Sequence, residues 1–344
     1  MDYIDVGMSL GKYYLESSLG AGAFGKVFLA YNQILRRHVA IKVIEAQNAH
    51  DLNDKFKEAE LSLRCNHNNI VKIYSADVID FKGHLLFLIE MEYICGNTVE
   101  DLIENNRLSI IDSILIMKQI LYGIEYAHLN GVIHRDIKPG NILVAEKTIK
   151  ITDFGLANLL GENLTTDKFY YTHTAPEVFR GDVIFSIQTD VYALGITLYR
   201  MVNNIANWSD FFESLELSES AIESGKFIER LPWDPSVPQC LRKIIKKACH
   251  KNLDVRYSRA VELRNKLEKL RLGIKWYIKN DLEWCGEDLK NEYTMKIINK
   301  GKIYFVEIKC NGRKINKVCK SINTIDEAYQ YCKNYIAQTS IINH

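Results

Sequence analysis

The chain has 344 residues, more than a single small module needs, and its 47% hydrophobic and 25% charged residues exclude an intrinsically disordered protein. A formal net charge of +1 gives no reason to expect a polyanionic partner for the whole chain, but it averages two unlike parts. Residues 271–344 hold 13 Lys/Arg against 8 Asp/Glu, which leaves residues 1–270 slightly acidic. In chain order, residues 14–19, 26–31 and 38–45 read as strands of a meander, broken by a glycine cluster and by residues 32–37. Residues 51–65 have helical spacing, and 70–78 and 84–91 return to strand character around a turn at Lys82 and Gly83. Beyond Gly96 helices dominate, at 110–130, 189–203, 239–251 and 259–272, with a strand-like interruption at 142–152. Segments 292–299, 302–310 and 313–320 alternate like three antiparallel strands, and 324–336 follows as a helix, a small β-β-β-α unit.

The eight cysteines form no C-x-x-C pair and no zinc spacing, so reduced thiols are expected. The first sixteen residues lack a basic start followed by an apolar run, and the apolar stretch at 191–202 is broken by Arg200. Together these features predict a soluble, cytoplasmic protein without a membrane partner.

Four groups of residues carry chemistry. Leu19, Gly20, Ala21, Gly22, Ala23, Phe24, Gly25, Lys26 and Val27 form a glycine-rich loop whose backbone can approach an anion closely. A dinucleotide-binding turn has similar spacing, but there the last glycine opens a helix, and here a strand continues. Fifteen residues after Val27, Lys42 lies in an apolar strand with Val39, Ala40 and Ile41, as a snorkelling edge residue or as a cation aimed at phosphates. A buried ammonium needs a partner, and Glu58 is the first candidate, with Glu60 the alternative. His134, Arg135, Asp136, Ile137, Lys138, Pro139, Gly140 and Asn141 form the most informative octapeptide. In a phosphoryl-transfer site Asp136 accepts the proton of the attacking hydroxyl, Lys138 steadies the phosphoryl group and Asn141 holds magnesium. Asp153, in Asp153-Phe-Gly155, supplies the second metal carboxylate.

In this order the motifs resemble those of the eukaryotic-type (Hanks-type) serine/threonine protein kinases. The resemblance covers residues 12–270 and implies an α+β bilobal fold, with a small lobe at about 12–93 and a helical lobe at about 94–270. It implies ATP and Mg2+ as cofactors, nucleotide contacts from the glycine loop, Ala40, Lys42 and backbone near Glu92 and Ile94, and Met91 as gatekeeper. Ala175, Pro176 and Glu177 match the end of the family's activation segment, Asp190 its central helix, and Arg256 the arginine that pairs with that glutamate. These features favour a protein substrate, and Lys138 favours Ser/Thr over Tyr. Arg135 beside the catalytic aspartate makes Thr165, Thr166, Tyr170, Tyr171 and Thr172 candidates for regulatory autophosphorylation. Two positions depart from the family pattern: Tyr170 stands where a threonine usually bonds the catalytic aspartate, and Ser62 stands where an apolar residue usually packs beneath the helix.

The alternatives are a pseudokinase that serves as a scaffold, or a kinase that acts on nucleic acid or is recruited to it through its tail. Residues 275–340 form the accessory unit, and its stretch 290–320 carries nine Lys/Arg against Glu292 and Glu307. Its outline resembles the arm-binding domains of phage-type integrases, and a protein-docking module or a merely solvated sheet face fits the same residues. Trp276 and Trp284 pack either the joint with the kinase body or the core of the tail. Oligomeric state has no signature in the sequence.

Overall fold

The computed structural model describes residues 3–22, 25–46, 60, 63–105, 108–145, 148–153, 158–159, 173–180, 185–216, 221, 224–225 and 227–342. The small lobe is an antiparallel sheet of β1 (Ser9–Leu10), β2 (Tyr13–Gly22), β3 (Gly25–Asn32), β4 (Arg37–Glu45), β5 (Ile73–Phe81) and β6 (His84–Met91), in the order β1-β2-β3-β4-β6-β5. The period of two in β4 decides what faces the cleft. Val39, Ile41 and Val43 join the outer cluster with Leu15, Phe28, Leu86 and Leu88. Ala40 lies on the opposite face, in the cluster of Phe87, Ile89 and Met91, and Lys42 shares its parity.

After Met91 the chain crosses to a helical lobe through β7 (Asn97–Thr98) and α1 (Val99–Glu104). Helix α2 (Ile110–Leu129) starts at Ser109, whose hydroxyl accepts the Asp112 N–H at 2.9 Å, and ends at Asn130, followed by Gly131 at a φ of 74°. Its buried stripe of Ile110, Ile114, Met117, Leu121 and Ile124 packs into the main core. It delivers the chain to β8 (Val132–Ile133) and to the hairpin of β9 (Ile142–Ala145) and β10 (Thr148–Ile151). A short strand β11 (Asn158–Leu159) pairs with β8. Helix α3 (Ile187–Asn203) is buried on nearly every side, as expected of a helix at the axis of a lobe, and α4 (Trp208–Ser214), α5 (Phe227–Arg230), α6 (Gln239–Ala248) and α7 (Ala260–Glu268) surround it. Among the described residues no helix is long and apolar enough to cross a membrane.

The C-terminal unit keeps the first two expected strands and the helix, splits the third strand and adds two more. Two further strands, β12 (Lys275–Asn280) and β13 (Glu283–Glu287), precede β14 (Glu292–Asn299) and β15 (Tyr304–Cys310) in one antiparallel sheet. The segment expected as a single strand at 313–320 divides into β16 (Arg313–Lys314) and β17 (Lys320–Ile322). Lys314 and Lys320 are six residues apart, while their partners Lys309 and Val306 are three apart. A turn closed by the Val318 N–H on the Ile315 carbonyl takes up the excess. Helix α8 (Ile325–Ser340), capped by Thr324, covers one sheet face with Ala328, Cys332 and Ile336 over Met295, Ile297, Val306 and Ile308. Trp276 and Trp284 belong to this core, and the Trp276 indole donates to Thr339 Oγ1 at 2.9 Å.

Candidate active site

The hairpin of β2 and β3 sets Gly20 opposite Val27, Ala21 opposite Lys26 and Gly22 opposite Gly25. Gly25 has a φ of 130°, and a Cβ there would lie 2.2 Å from the Val43 carbonyl oxygen, so the close approach of the hairpin to β4 needs glycine. Ala23 and Phe24 lie outside the described residues. Beneath the hairpin, Ala40, Met91, Val27, Ile94 and Leu143 share one apolar cluster, with Val27 and Ala40 from the small lobe and Leu143 from β9 of the large one. Leu143 was not among the residues expected from sequence, although its place two residues after Asn141 on a short strand marked it. Glu92, at the crossing between lobes, donates its N–H to the Lys72 carbonyl at 2.8 Å and pairs its carboxylate with Lys150 at 2.8 Å.

Lys42, buried to 5% exposure, reaches Asp153 Oδ1 at 2.6 Å. Burial pushes the Asp153 carboxyl up, and the Lys42 ammonium overcomes it, leaving the group below its ordinary value and ionised. Asp153 has a φ of 59°, an uncommon conformation outside glycine, which marks its backbone as held in place. Glu58 lies outside the described residues, so the expected Lys42–Glu58 pair is not described. Glu60, the alternative, bonds Arg64 at 3.0 Å.

The octapeptide forms a compact loop. Asp136 Oδ2 accepts from Lys138 Nζ at 2.8 Å and from Asn141 Nδ2 at 2.9 Å, and the same amide nitrogen also donates to the Asp136 carbonyl at 2.8 Å. That assignment makes Oδ1 the side-chain oxygen Asn141 can offer a cation. His134 is enclosed: its Nδ1 accepts the Asp136 N–H at 3.3 Å, and Nε2 lies 3.0 Å from the Thr152 carbonyl, so the proton sits on Nε2. Burial lowers its pKa, which keeps the ring neutral and structural.

Asp190 carries more than the sequence reading gave it. At 1% exposure, its carboxylate accepts the backbone N–H of His134 and of Arg135, each at 2.8 Å, and meets His128 Nε2 at 2.8 Å. Burial raises its pKa, but the hydrogen bond and charge of His128 lead the effects that hold it low, so it is anionic. Those bonds fix Arg135 at a φ of 69°, directly before Asp136. A polar residue at the start of a helix buried all round was the sequence signal for this role. Farther down, Arg256 grips Glu177 with two bonds, at 2.6 and 2.9 Å, and donates to the Gln188 carbonyl at 2.9 Å, which joins the end of the activation segment to the lobe. The five hydroxyl candidates from Thr165 to Thr172 and Ser62 lie outside the described residues.

The structure thus brings together the glycine hairpin, a lysine tied to an aspartate across the cleft, and an Asp-Lys-Asn triangle. Residues 13–267 match the family described as the protein kinase domain. The chain belongs to the protein kinase family. Among curated members it is 31% identical over 286 residues to a probable serine/threonine-protein kinase of Clostridium acetobutylicum, covering 79% of this chain and 41% of the relative. It is 34% identical over 263 residues to the serine/threonine-protein kinase PrkC of Bacillus subtilis, covering 74% of this chain and 39% of that one. A third relative, the serine/threonine-protein kinase PknJ of Mycobacterium tuberculosis, is 32% identical over 215 residues, 59% of this chain and 36% of its own length. The chain thus spans about two-fifths of the length of the first two kinases.

Proposed function

We propose that the chain is an ATP- and magnesium-dependent protein kinase that transfers the γ-phosphoryl group to Ser or Thr hydroxyls. The observation that carries this reading is the triangle at Asp136, where one carboxylate is held by Lys138 and Asn141 while Asp153 is tied to Lys42 across the cleft. Asn141 and Asp153 offer an amide oxygen and a carboxylate, hard ligands that suit magnesium. Among the described residues there is no cluster of three or more His, Cys, Asp or Glu to form an all-protein metal cage, and magnesium ordinarily takes substrate phosphates and waters beside one or two protein oxygens. When bound there, the ion supplies charge neutralisation at the β and γ phosphates.

The chain's own residues do the rest. The Gly20–Gly25 hairpin covers the phosphates with backbone N–H groups, and Lys42, freed from Asp153 by the arriving anion, pairs with them. The adenine lies among Val27, Ala40, Ile94 and Leu143. Asp136 orients the substrate hydroxyl and takes its proton as the bond to phosphorus forms, and Lys138 moves its positive charge from the carboxylate to the transferring phosphoryl group. The end of the activation segment, anchored by Glu177 and Arg256, gives a protein substrate its seat, and the guanidinium of Arg135 supports regulation by autophosphorylation within residues 165–172. The eight cysteines are all free thiols, which suits a reducing cytoplasm. Asp136→Asn tests the reading: incorporation of phosphate from labelled ATP into a Ser/Thr peptide library should fall by about 10²- to 10⁴-fold with nucleotide binding retained. Undiminished transfer by that variant would remove Asp136 as the base, and no transfer by the parent chain would return the protein to the scaffold reading.

A further inference from the structure

The C-terminal sheet has two faces, and only one is explained by folding. Met295, Ile297, Val306 and Ile308 point to α8, so the alternation of β14 and β15 places Lys296, Ile298, Phe305, Glu307 and Lys309 on the other face. The pairing sets Ile298 beside Phe305, Lys296 beside Glu307, and Lys309 beside Lys314. Directly opposed like charges work against a sheet. At Phe305, Lys300 from the β14–β15 turn and Lys314 from β16 both meet one ring as cation–π contacts, with their ammonium nitrogens 4.5 and 4.2 Å from its centroid. Lys309 is balanced by Glu307 at 2.6 Å and Lys296 by Glu283 at 2.9 Å. Among the described residues neither Lys300 nor Lys314 is in a salt bridge. Arg313 and Lys320 pair with Cys310 and Val306 and so lie on the α8 side of the sheet, Lys320 with its ammonium 5.4 Å from the Tyr331 ring centroid.

We propose that this face binds single-stranded nucleic acid, with backbone phosphates on Lys300 and Lys314 and a base on the Phe305–Ile298 surface. Lys300 and Lys314 meet the Phe305 ring and Lys314 also feels the Glu307 carboxylate, but neither is in a salt bridge among the described residues, so an anion there would add the counter-charge their ammonium groups lack at close range. The chemistry favours the nucleotide strand, because each of its residues carries both a phosphate and a flat π-face, whereas an acidic peptide brings such a face only where it holds an aromatic side chain. A nucleotide strand brings both at once, charge for the lysines and a stacking face for the aromatic. The site is separate from the kinase cleft and takes no part in phosphoryl transfer.

The test uses the full chain and fluorescein-labelled single-stranded RNA and DNA of about 20 nucleotides, followed by anisotropy from about 50 to 200 mM salt. Binding should weaken with salt by about 0.7 log units per log unit of salt for each phosphate engaged, and Lys300→Ala with Lys314→Ala should make that slope shallower by about 1.4. Phe305→Leu keeps an apolar side chain while removing the π-face, and should weaken binding by about 5- to 150-fold. Phosphorylation of a peptide by both variants should match the parent, which separates loss of this site from loss of the fold. The proposal is overturned by no binding at the lowest salt, by equal affinity of parent and variants, or by polyglutamate or anionic vesicles displacing the strand as well as unlabelled oligonucleotide does.

Discussion

Asp190→Ala tests the claim that the catalytic loop is positioned from the central helix. The carboxylate accepts two backbone N–H groups and meets one imidazole nitrogen, each at 2.8 Å, inside the large-lobe core. Hydrogen bonds to a charged acceptor contribute about 1.5–3 kcal/mol each, and removing the ionised partner from a buried set costs about 3–5 kcal/mol, because the N–H groups are left without acceptors. Asp190→Asn keeps one oxygen but sets an NH2 donor where the other stood, so at least one N–H loses its acceptor, at about 1–3 kcal/mol. Denaturant unfolding should rank the parent above Asn and Asn above Ala. The kinetic effect is separable. Arg135 is kept at a φ of 69° by its bond to Asp190, and its release shifts the next residue, Asp136. A displacement near 1 Å at a reacting group costs about 10²-fold in rate. The ATP KM, set by the glycine hairpin, Lys42 and the lobe crossing, should stay near the parental value in the fraction that folds. A loss below about 1 kcal/mol for Asp190→Ala, or a fall in kcat matched by an equal rise in KM for ATP, would refute this account.

Gly25→Ala puts a Cβ 2.2 Å from the Val43 oxygen at a φ of 130°, and should raise the KM for ATP about tenfold or more through strain of roughly 1–3 kcal/mol in the hairpin. Gly20→Ala, whose Cβ meets nothing within 4 Å, should leave the unfolding midpoint close to the parent; equal effects of the two would show that space does not decide the outcome. Acid should destabilise the protein in two stages. His134 and His173 are buried with lowered pKa values, through burial first, so below about pH 6.5 the unfolded chain takes up protons that the folded chain refuses. Stability then falls as pH falls, by up to about 2.7 kcal/mol per pH unit for two such groups. Asp153 and Asp190 act lower: their pKa values are depressed when folded, so their contribution is complete above the ordinary carboxylate range and is lost as pH falls through the folded values. Denaturant unfolding against pH checks this, and a profile flat from pH 7 to 5 would exclude the histidine stage.

The kinase body was legible in the sequence because its signals are local. The order of the glycine loop, Lys42, Asp136, Asn141 and Asp153 points to the protein kinase family, whereas the face that Lys42 takes in β4, shared with Ala40, is seen only in the fold. Helix α2 was expected at 110–130 and runs Ile110–Leu129, because Ser109 and Gly131 punctuate it at both ends. What escaped was non-local. The grip of Asp190 on His134 and Arg135 joins groups more than fifty residues apart in the chain, and the place of Leu143 under Val27 and Ala40 depends on how the two lobes close. In the tail, the polar and apolar alternation marks strands at 292–299, 302–310 and 313–320 but not β12 and β13. Trp276, Trp284 and Gly286 face the core there, but an exposed Ile278 and the register shift after it blur the alternation.

The joint between the two parts bears on how they act together. Leu272 bridges to Ile341, the Gly273 and Ile274 N–H groups donate to the Ser340 and Thr339 carbonyls, and Ile341 is buried in the core of the large lobe. Two ion pairs flank the seam, Lys275 on Asp112 at 2.9 Å and Lys333 on Asp234 at 2.8 Å, each setting the basic unit against the slightly acidic body. Asp112 lies in the first turn of α2, and the other end of that helix delivers the catalytic loop through Val132 and Ile133. The C-terminal sheet is therefore seated on the helix that leads into the catalytic loop, rather than hung from a flexible tether. A strand held as proposed across Lys300, Phe305 and Lys314 would therefore ride on a unit joined to that helix through Lys275 and Asp112.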